Sequence, residues 1–138
     1  HVVCRRQRQM CIRDSISGFT TGLDLTDRKL QEELKKKGMP WFPAKSFKGS
    51  AVLDTSFIMP ECPKEFFLTI NQKTRQVGNL KDMIFSFESI LLHISKIVSL
   101  KRGDLIFTGT PEGVGPLVEG DQIEMGFTGH PSKKLTVI

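Results

Sequence analysis

Residues 103–124 read GDLIFTGTPEGVGPLVEGDQIE and contain two strong signals for strands. It opens with a Gly-Asp pair before an apolar run, and a second Gly-Asp pair at 120–121 precedes another run of strand-forming residues. A Gly-Asp pair in this position indicates a tight turn that leads directly into a strand. The sequence therefore predicts strands at residues 103–107 and 120–124, with a glycine-rich loop between them.

Further strands are predicted on both sides of this stretch. Residues 16–25 read as a strand that ends near Asp24, and the alternating apolar residues of 66–70 predict a hairpin that turns at Asn71 and Gln72. A last strand is predicted at residues 135–138. With mostly strands and only two helices, the sequence predicts a β-rich α+β fold rather than a doubly wound sheet.

The first predicted helix begins at Thr26, which can cap it, with Asp27 in the first turn. Three lysines, residues 35–37, fall in its last turn, where they oppose the negative end of the helix dipole. Gly38 and Pro40 then stop the helix. This position explains the lysine run without a binding patch.

The second predicted helix spans residues 86–100, where apolar residues recur at helical spacing after the capping residue Ser86. His93 lies among these apolar residues and no partner motif stands beside it. We therefore predict a core or interface histidine rather than a catalytic base.

Composition and charge exclude several classes of protein. A chain of 138 residues with 38% hydrophobic content is sufficient for one domain. The net charge of +5 is concentrated in residues 1–15, which carry +3, and no basic stripe of the kind that binds nucleic acid follows. No apolar run is long enough to span a membrane.

Residues 1–15 lack periodicity and are predicted to be non-native or disordered, which leaves 16–138 as the domain.

Cysteine usage indicates a reducing compartment. The three cysteines, Cys4, Cys11 and Cys62, are odd in number and irregularly spaced, and no histidine pair accompanies them. This pattern predicts neither a disulfide framework nor a zinc site, and it favours the cytosol.

The loop at residues 108–115, TGTPEGVG, is a candidate anion site. The backbone amides and hydroxyls of Thr108, Gly109 and Thr110 can be directed at one carboxylate or phosphate. The loop is no P-loop, because Pro116 and Leu117 follow the last glycine in place of Lys and Ser or Thr. A tight structural turn fits the same composition equally well.

Asp24 stands where a strand meets a helix start, a common position for a ligand or catalytic side chain. Arg28 and Gln31 follow one and two helical turns later. Taken alone, Asp24 fits a turn or cap better than a metal ligand, since Mg²⁺ would need at least another carboxylate or a chelating substrate beside it. Lys45 lies between apolar residues in the predicted loop 41–50, where its ammonium could be held near a site. On sequence grounds alone, an ordinary exposed lysine is the favoured interpretation.

Three segments in fixed order resemble the fumarylacetoacetate hydrolase family: GFTTGLDLTDRKLQ at 18–31, GMPWFPAKSF at 38–47 and GDLIFTGTPEGVG at 103–115. The resemblance extends over residues 16–138 and is greatest to the small acylpyruvate hydrolase and oxaloacetate decarboxylase members. It implies a β-rich mixed roll of the family's C-terminal type, with two main helices, that assembles as a homodimer.

The resemblance also implies a site. In the family a Mg²⁺ ion, with Mn²⁺ or Ca²⁺ as alternatives, is held by a Glu-x-Glu pair and an aspartate, which here corresponds to Asp24. The backbone of Gly49 corresponds to a position close to the metal. The catalytic and substrate-binding residues implied are Arg28, Gln31, Lys45, Thr108, Gly109 and Thr110.

The function implied is cleavage of a C–C bond in a small 2-oxo acid, by acylpyruvate hydrolysis or oxaloacetate decarboxylation, through a metal-stabilised enolate. The Glu-x-Glu pair is expected some thirty residues before Asp24, so we expect the 138-residue chain alone to be inactive or very weakly active. The alternatives are an oxaloacetate-type tautomerase or isomerase and a non-catalytic domain that binds small anions. We expect no nucleic-acid or membrane partner, and a cytoplasmic location, or a mitochondrial one in a eukaryote.

Overall fold

The computed structural model describes residues 16–55, 61 and 63–138. The predictions for residues 1–15 and for Cys62 therefore lie outside the described part of the chain. A short 3₁₀ helix, Leu80–Asp82, precedes the last α-helix. The other elements, in chain order, are β1 (Gly22–Asp24), α1 (Arg28–Lys36), α2 (Phe42–Lys45), β2 (Ala51–Leu53), β3 (Glu65–Ile70), β4 (Lys73–Asn79), α3 (Phe87–Ser95), β5 (Gln122–Phe127) and β6 (Ser132–Thr136).

Four of the strands form an antiparallel sheet in the order β4-β3-β5-β6, and β1 pairs with β2 in a separate two-stranded sheet. Most of the buried apolar side chains lie on β5, where Ile123, Met125 and Phe127 are 4%, 2% and 5% exposed, and Leu91 of α3 is buried as well. The spacing of two places the three β5 residues on one face of the strand. The α+β class predicted from the sequence is confirmed.

The hairpin of β3 and β4 turns where the sequence predicts. Asn71 and Gln72 have φ of 50° and 64°, the left-handed conformation that a two-residue hairpin turn requires. On the sheet, Phe66 pairs with Gly78, and its ring occupies the space that a side chain at position 78 would need. The glycine thus gives the aromatic ring a flat surface to cover.

Side-chain hydrogen bonds of Asn71 and Asp121, which we call the clasp, connect this turn to the start of β5. The Asn71 side-chain amide donates to Asp121 Oδ1 at 2.8 Å, and the Val118 amide donates to Asp121 Oδ2 at 2.9 Å. The Gln122 amide in turn donates to Asn71 Oδ1 at 2.9 Å. The hydrogen bond from Val118, with that from Asn71, lowers the pKa of Asp121 below its ordinary 3.8. The Gly-Asp turn before β5 is therefore held by its aspartate.

The elements β1, α1, α2 and β2 form what we call the Asp24 region. Asp27 caps α1, since its Oδ1 accepts from the Leu30 amide at 2.9 Å, so the predicted cap at Thr26 is wrong. At the other end Gly38 has φ of +65°, which confirms the predicted stop. The predicted loop 41–50 is also wrong in part, because residues 42–45 form α2.

Helix α3 starts as predicted and ends early. The Ser86 hydroxyl accepts from the Ser89 amide at 3.2 Å and caps the helix, which ends at Ser95 instead of Leu100. His93 is exposed within this chain, so its predicted core position is wrong, and the interface alternative stays a prediction. In the described part of the chain, no helix is long and apolar enough to cross a membrane.

Three predicted strands differ from the structure. Residues 105–107 form no strand, and only Asp104 makes an isolated bridge after the turn at Gly103. The last strand covers residues 132–136 instead of 135–138, because β5 pairs with the polar residues Ser132, Lys133 and Lys134. Strand β1 is likewise shorter than the predicted 16–25.

Candidate active site

Asp24 is the last residue of β1, and the short ladder with β2 fixes its position. It pairs in register with Ala51. The next amide, Leu25 N–H, donates to the Ser50 carbonyl at 2.7 Å, which continues the pairing past the end of the strand. Ser50 is buried, so this backbone contact is shielded from water. The Asp24 carboxylate thus projects from a fixed backbone at the junction that leads to α1.

The short helix α2 brings Lys45 to the same place. Pro43 is suited to its first turn, where no amide hydrogen is needed. Ala44 is fully buried, and its carbonyl accepts from the Asp27 amide at 3.0 Å, which fixes α2 against the start of α1. Lys45 follows directly and is held at the junction of these elements.

The Lys45 ammonium makes two short contacts. Its Nζ lies 2.7 Å from Asp24 Oδ2 and donates to Thr26 Oγ1 at 2.8 Å. The side chains of Lys45 and Asp24 are 37% and 45% exposed. An ion pair this exposed contributes only about 0–1 kcal/mol to stability. Stabilising the fold is therefore not the main role of this pair. The pair leaves both a positive and a negative group accessible to a ligand.

Arg28 and Gln31 contact each other on the exposed surface of α1. Arg28 Nη1 donates to Gln31 Oε1 at 3.0 Å, one helical turn away. Both residues belong to the helix that begins just after Asp24. The two candidate residues therefore lie on the helix that follows Asp24 and are hydrogen-bonded to each other.

Gly49 reaches the Asp24 region through β2. It has φ of +86°, which favours glycine, and nothing lies within 4 Å of the position that a Cβ would occupy. It precedes Ser50 and the start of β2, whose Ala51 pairs with Asp24. The ladder therefore brings the Gly49 backbone near Asp24, next to open space.

The loop 108–115 begins beside β1 and ends against β4. The Phe107 ring packs so closely on Gly22 that a Cβ there would be 3.1 Å from it. Further along, Gly113 and Gly115 lie against Arg75, where an added methyl group would collide with the Arg75 carbonyl oxygen or guanidinium. Gly113 therefore has a structural reason, as the turn interpretation predicts, whereas the guanidinium beside Gly115 belongs to a flexible side chain that can move. Thr108, Gly109 and Thr110 are exposed and differ in this respect.

A residue that the sequence did not single out, Gln76, holds this loop. From the edge strand β4, its Nε2 lies 3.1 Å from Thr110 Oγ1, 2.9 Å from the Pro111 carbonyl oxygen and 3.3 Å from that of Glu112. Gln76 lies in a polar strand outside any motif. Its role arises only when the loop folds back on the sheet edge, so no local pattern indicates it.

The described residues do not by themselves fit a divalent metal. Within residues 16–55, 61 and 63–138, no group of three or more His, Cys, Asp or Glu could hold a metal ion. Asp24 supplies one carboxylate, and its Oδ2 is paired with the Lys45 ammonium. Mg²⁺ requires more oxygen ligands than this carboxylate offers.

Comparison with known proteins gives one family. The family model described as fumarylacetoacetate (FAA) hydrolase C-terminal matches residues 3–138. Human oxaloacetate tautomerase FAHD1, mitochondrial, is 41% identical over 97% of this chain and 62% of that protein. Oxaloacetate tautomerase YcgM of Escherichia coli is 37% identical over 91% of this chain and 60% of that protein.

A solved structure is also similar to this chain. The fumarylpyruvate hydrolase from Pseudomonas aeruginosa, in complex with Mn²⁺ and pyruvate, has a TM-score of 0.81 at 29% identity, over 96% of this chain and 58% of that one. The chain belongs to the fumarylacetoacetate hydrolase family, and the resemblance seen in the sequence is confirmed. It spans about six tenths of the length of the curated relatives it matches, 62% and 60% for the two named above.

Proposed function

We propose that this chain forms part of an active site for small 2-oxo acids, and that the reaction is enol–keto exchange of oxaloacetate. The observation that carries the proposal is the Lys45 ammonium, held at 2.7 Å from Asp24 and 2.8 Å from Thr26 on an accessible surface. A fixed positive charge is suited to stabilising the enolate formed when a proton leaves the carbon beside a 2-oxo group. Two relatives named oxaloacetate tautomerase favour this substrate.

The other residues have distinct roles in this proposal. The loop amides and hydroxyls of residues 108–110 bind the substrate carboxylate, because they are exposed and include both donor types. Arg28 and Gln31 flank the substrate from α1 and orient it. Lys45 stabilises negative charge on the oxygen of the 2-oxo group.

We also propose Asp24 as one ligand of a divalent cation, Mg²⁺ with Mn²⁺ or Ca²⁺ as alternatives, near the Gly49 backbone. The Pseudomonas relative named above binds Mn²⁺ together with pyruvate, which supports a metal in this family. The remaining ligands would have to come from outside the described residues or from the substrate. We therefore assign no step of the reaction to the metal.

A second candidate is C–C bond cleavage, by acylpyruvate hydrolysis or oxaloacetate decarboxylation. It is favoured by the name of the Pseudomonas relative, a fumarylpyruvate hydrolase, and it passes through the same kind of enolate.

A homodimer is also proposed. The printed name of the human relative assigns that protein to mitochondria. For this chain, a cytoplasmic or mitochondrial location stays a prediction.

The test uses a chimera in which residues 16–138 replace the matching segment of the E. coli relative. Oxaloacetate would be added as its enol form, with Mg²⁺ present, and the ultraviolet absorbance of the enol and the release of pyruvate would be followed together. We expect rapid loss of the enol without pyruvate. Lys45→Met should reduce the rate by roughly tenfold or more, and Lys48→Met, an exposed lysine in the same segment, should leave it unchanged.

Each other outcome selects a different function. Pyruvate release by the chimera would favour decarboxylation over tautomerisation, and turnover of acetylpyruvate would favour hydrolysis. A folded chimera with no activity on any of these substrates would reject the enzyme and leave the anion-binding domain. Calorimetry of the 138-residue chain with oxalate distinguishes the last case, since a bare anion pocket binds oxalate without added Mg²⁺.

A further inference from the structure

We propose that Gln76 is a positioning residue that makes the Thr110 hydroxyl a hydrogen-bond donor to a ligand carboxylate. The inference rests on the proposed function, in which loop 108–110 binds that carboxylate. It concerns a residue in β4, more than thirty positions earlier in the chain, whose side chain reaches the loop.

The first step is the orientation of the Gln76 amide. Its outer end faces two backbone carbonyl oxygens, those of Pro111 at 2.9 Å and Glu112 at 3.3 Å. A carbonyl oxygen can only accept a hydrogen bond, so the group that faces it must be the NH₂ and not the amide oxygen. The two carbonyls therefore fix which end of the Gln76 side chain is presented to the loop.

The second step is the direction of the hydrogen bond to Thr110. The same NH₂ group lies 3.1 Å from Thr110 Oγ1 and can only donate, so the hydroxyl oxygen accepts. A threonine hydroxyl has one proton, and in this arrangement that proton remains available for another acceptor. Gln76 thus sets the polarity of the hydroxyl as well as its position.

The third step is the surface that this proton can reach. Thr110 is exposed, and its neighbour Gly109 has φ of +119° with nothing within 4 Å of its Cβ position. At Gly113 the Arg75 carbonyl oxygen leaves no room for a side chain, so the loop lies close against β4 there. The loop is therefore fixed on its β4 side and open on the side of Gly109.

The experiment measures pyruvate binding to the 138-residue chain, with Mg²⁺ present, from the ¹⁵N shifts of the Gly109 and Thr110 amides. Gln76→Met, which removes the donors, and Thr110→Val, which removes the hydroxyl, should each raise the Kd of pyruvate by about tenfold, as expected for loss of a hydrogen bond to a charged group. Thr110→Ser should bind as the parent does. Methyl pyruvate, which has no carboxylate, should be insensitive to all three changes.

The double variant, Gln76→Met with Thr110→Val, shows whether Gln76 acts by orienting the Thr110 hydroxyl or only by holding the loop in place. If Gln76 acts through the Thr110 hydroxyl, Gln76→Met adds no further loss once Thr110→Val is present. A residue that merely holds the loop would weaken binding again in that background, because the remaining amides would also be displaced, and this outcome overturns the proposal. An unchanged Kd in Gln76→Met, or the absence of any pyruvate-dependent shift at Thr110, also overturns it.

Failure here is distinct from failure of the proposed function. Turnover by the chimera reports on the reaction, whereas the amide shifts report on carboxylate binding at the loop. Active chimeras with independent effects of Gln76 and Thr110 would reject only the positioning role. Coupled effects on pyruvate binding with an inactive chimera would reject only the reaction.

Discussion

The four-stranded sheet and the Asp24 region are built in different ways. The sheet has strands of five to seven residues and buries Ile123, Met125 and Phe127. The Asp24 region has strands of three residues, and its buried side chains within residues 22–53 are the small Ala44 and Ser50. The Asp24–Lys45 pair stays half-exposed. The difference indicates that apolar burial on the sheet provides stability, while the Asp24 region keeps two charged side chains accessible to solvent.

The largest effect on stability is expected from a cavity in the four-stranded sheet. Met125 is 2% exposed, so Met125→Ala should lower the free energy of unfolding by about 2–5 kcal/mol, because buried contacts are lost and a void remains. Urea denaturation followed by circular dichroism measures it. Met125→Leu, which keeps the volume, is the control and should cost less than about 1.5 kcal/mol. A loss below about 1 kcal/mol in Met125→Ala would mean that the core lies elsewhere.

A smaller effect is expected at the clasp, and it depends on pH. Because the folded pKa of Asp121 is lowered below 3.8, its ionised form stabilises the fold above that pH, and this contribution is lost as pH falls through the folded pKa. Asp121→Asn should therefore unfold more easily than the parent at neutral pH, and the difference should shrink below pH 3.8. Thermal unfolding at several pH values measures it. A difference that stays constant into acid would contradict the role of the charge.

The smallest change in stability is expected at the site itself. Lys45→Met should alter the free energy of unfolding by less than about 1 kcal/mol, because the ion pair with Asp24 is half-exposed. The same variant should lose activity in the chimera, so stability and activity separate at this residue. Chemical denaturation beside the same measurement on Lys48→Met provides the comparison. A loss of several kcal/mol would make Lys45 a structural residue.

The sequence predicts those elements whose cause is local. The hairpin turn at Asn71 and Gln72, the cap at Ser86 and the stop at Gly38 each depend on side chains within a few residues, and each is found. The fold class follows from the same local signals, since strands outnumber helices along the chain. The sequence also indicates Asp24 and Lys45 as candidate site residues, and the structure brings them together.

The remainder depends on contacts between distant segments. Residues 105–107 have the composition of a strand but form no ladder, and the Phe107 ring packs on Gly22 instead. The polar residues 132–134 belong to β6 because β5 pairs with them. Thr26 and Asp27 are both good caps, and Thr26 instead accepts from Lys45. Gln76 acquires its role from the fold of a loop more than thirty residues away, which no window of sequence contains.

The clasp between Asn71 and Asp121 has a consequence for the order in which the chain folds. Strand β3 meets β4 across a two-residue turn, but Ile70 meets Ile123 only after the chain between them has closed into a long loop. A hairpin forms in about 1–10 μs, while closing a long loop carries an entropic cost that slows assembly. The hairpin should therefore exist first as a template, and the arrival of Asp121 at Asn71 marks the step that completes the sheet.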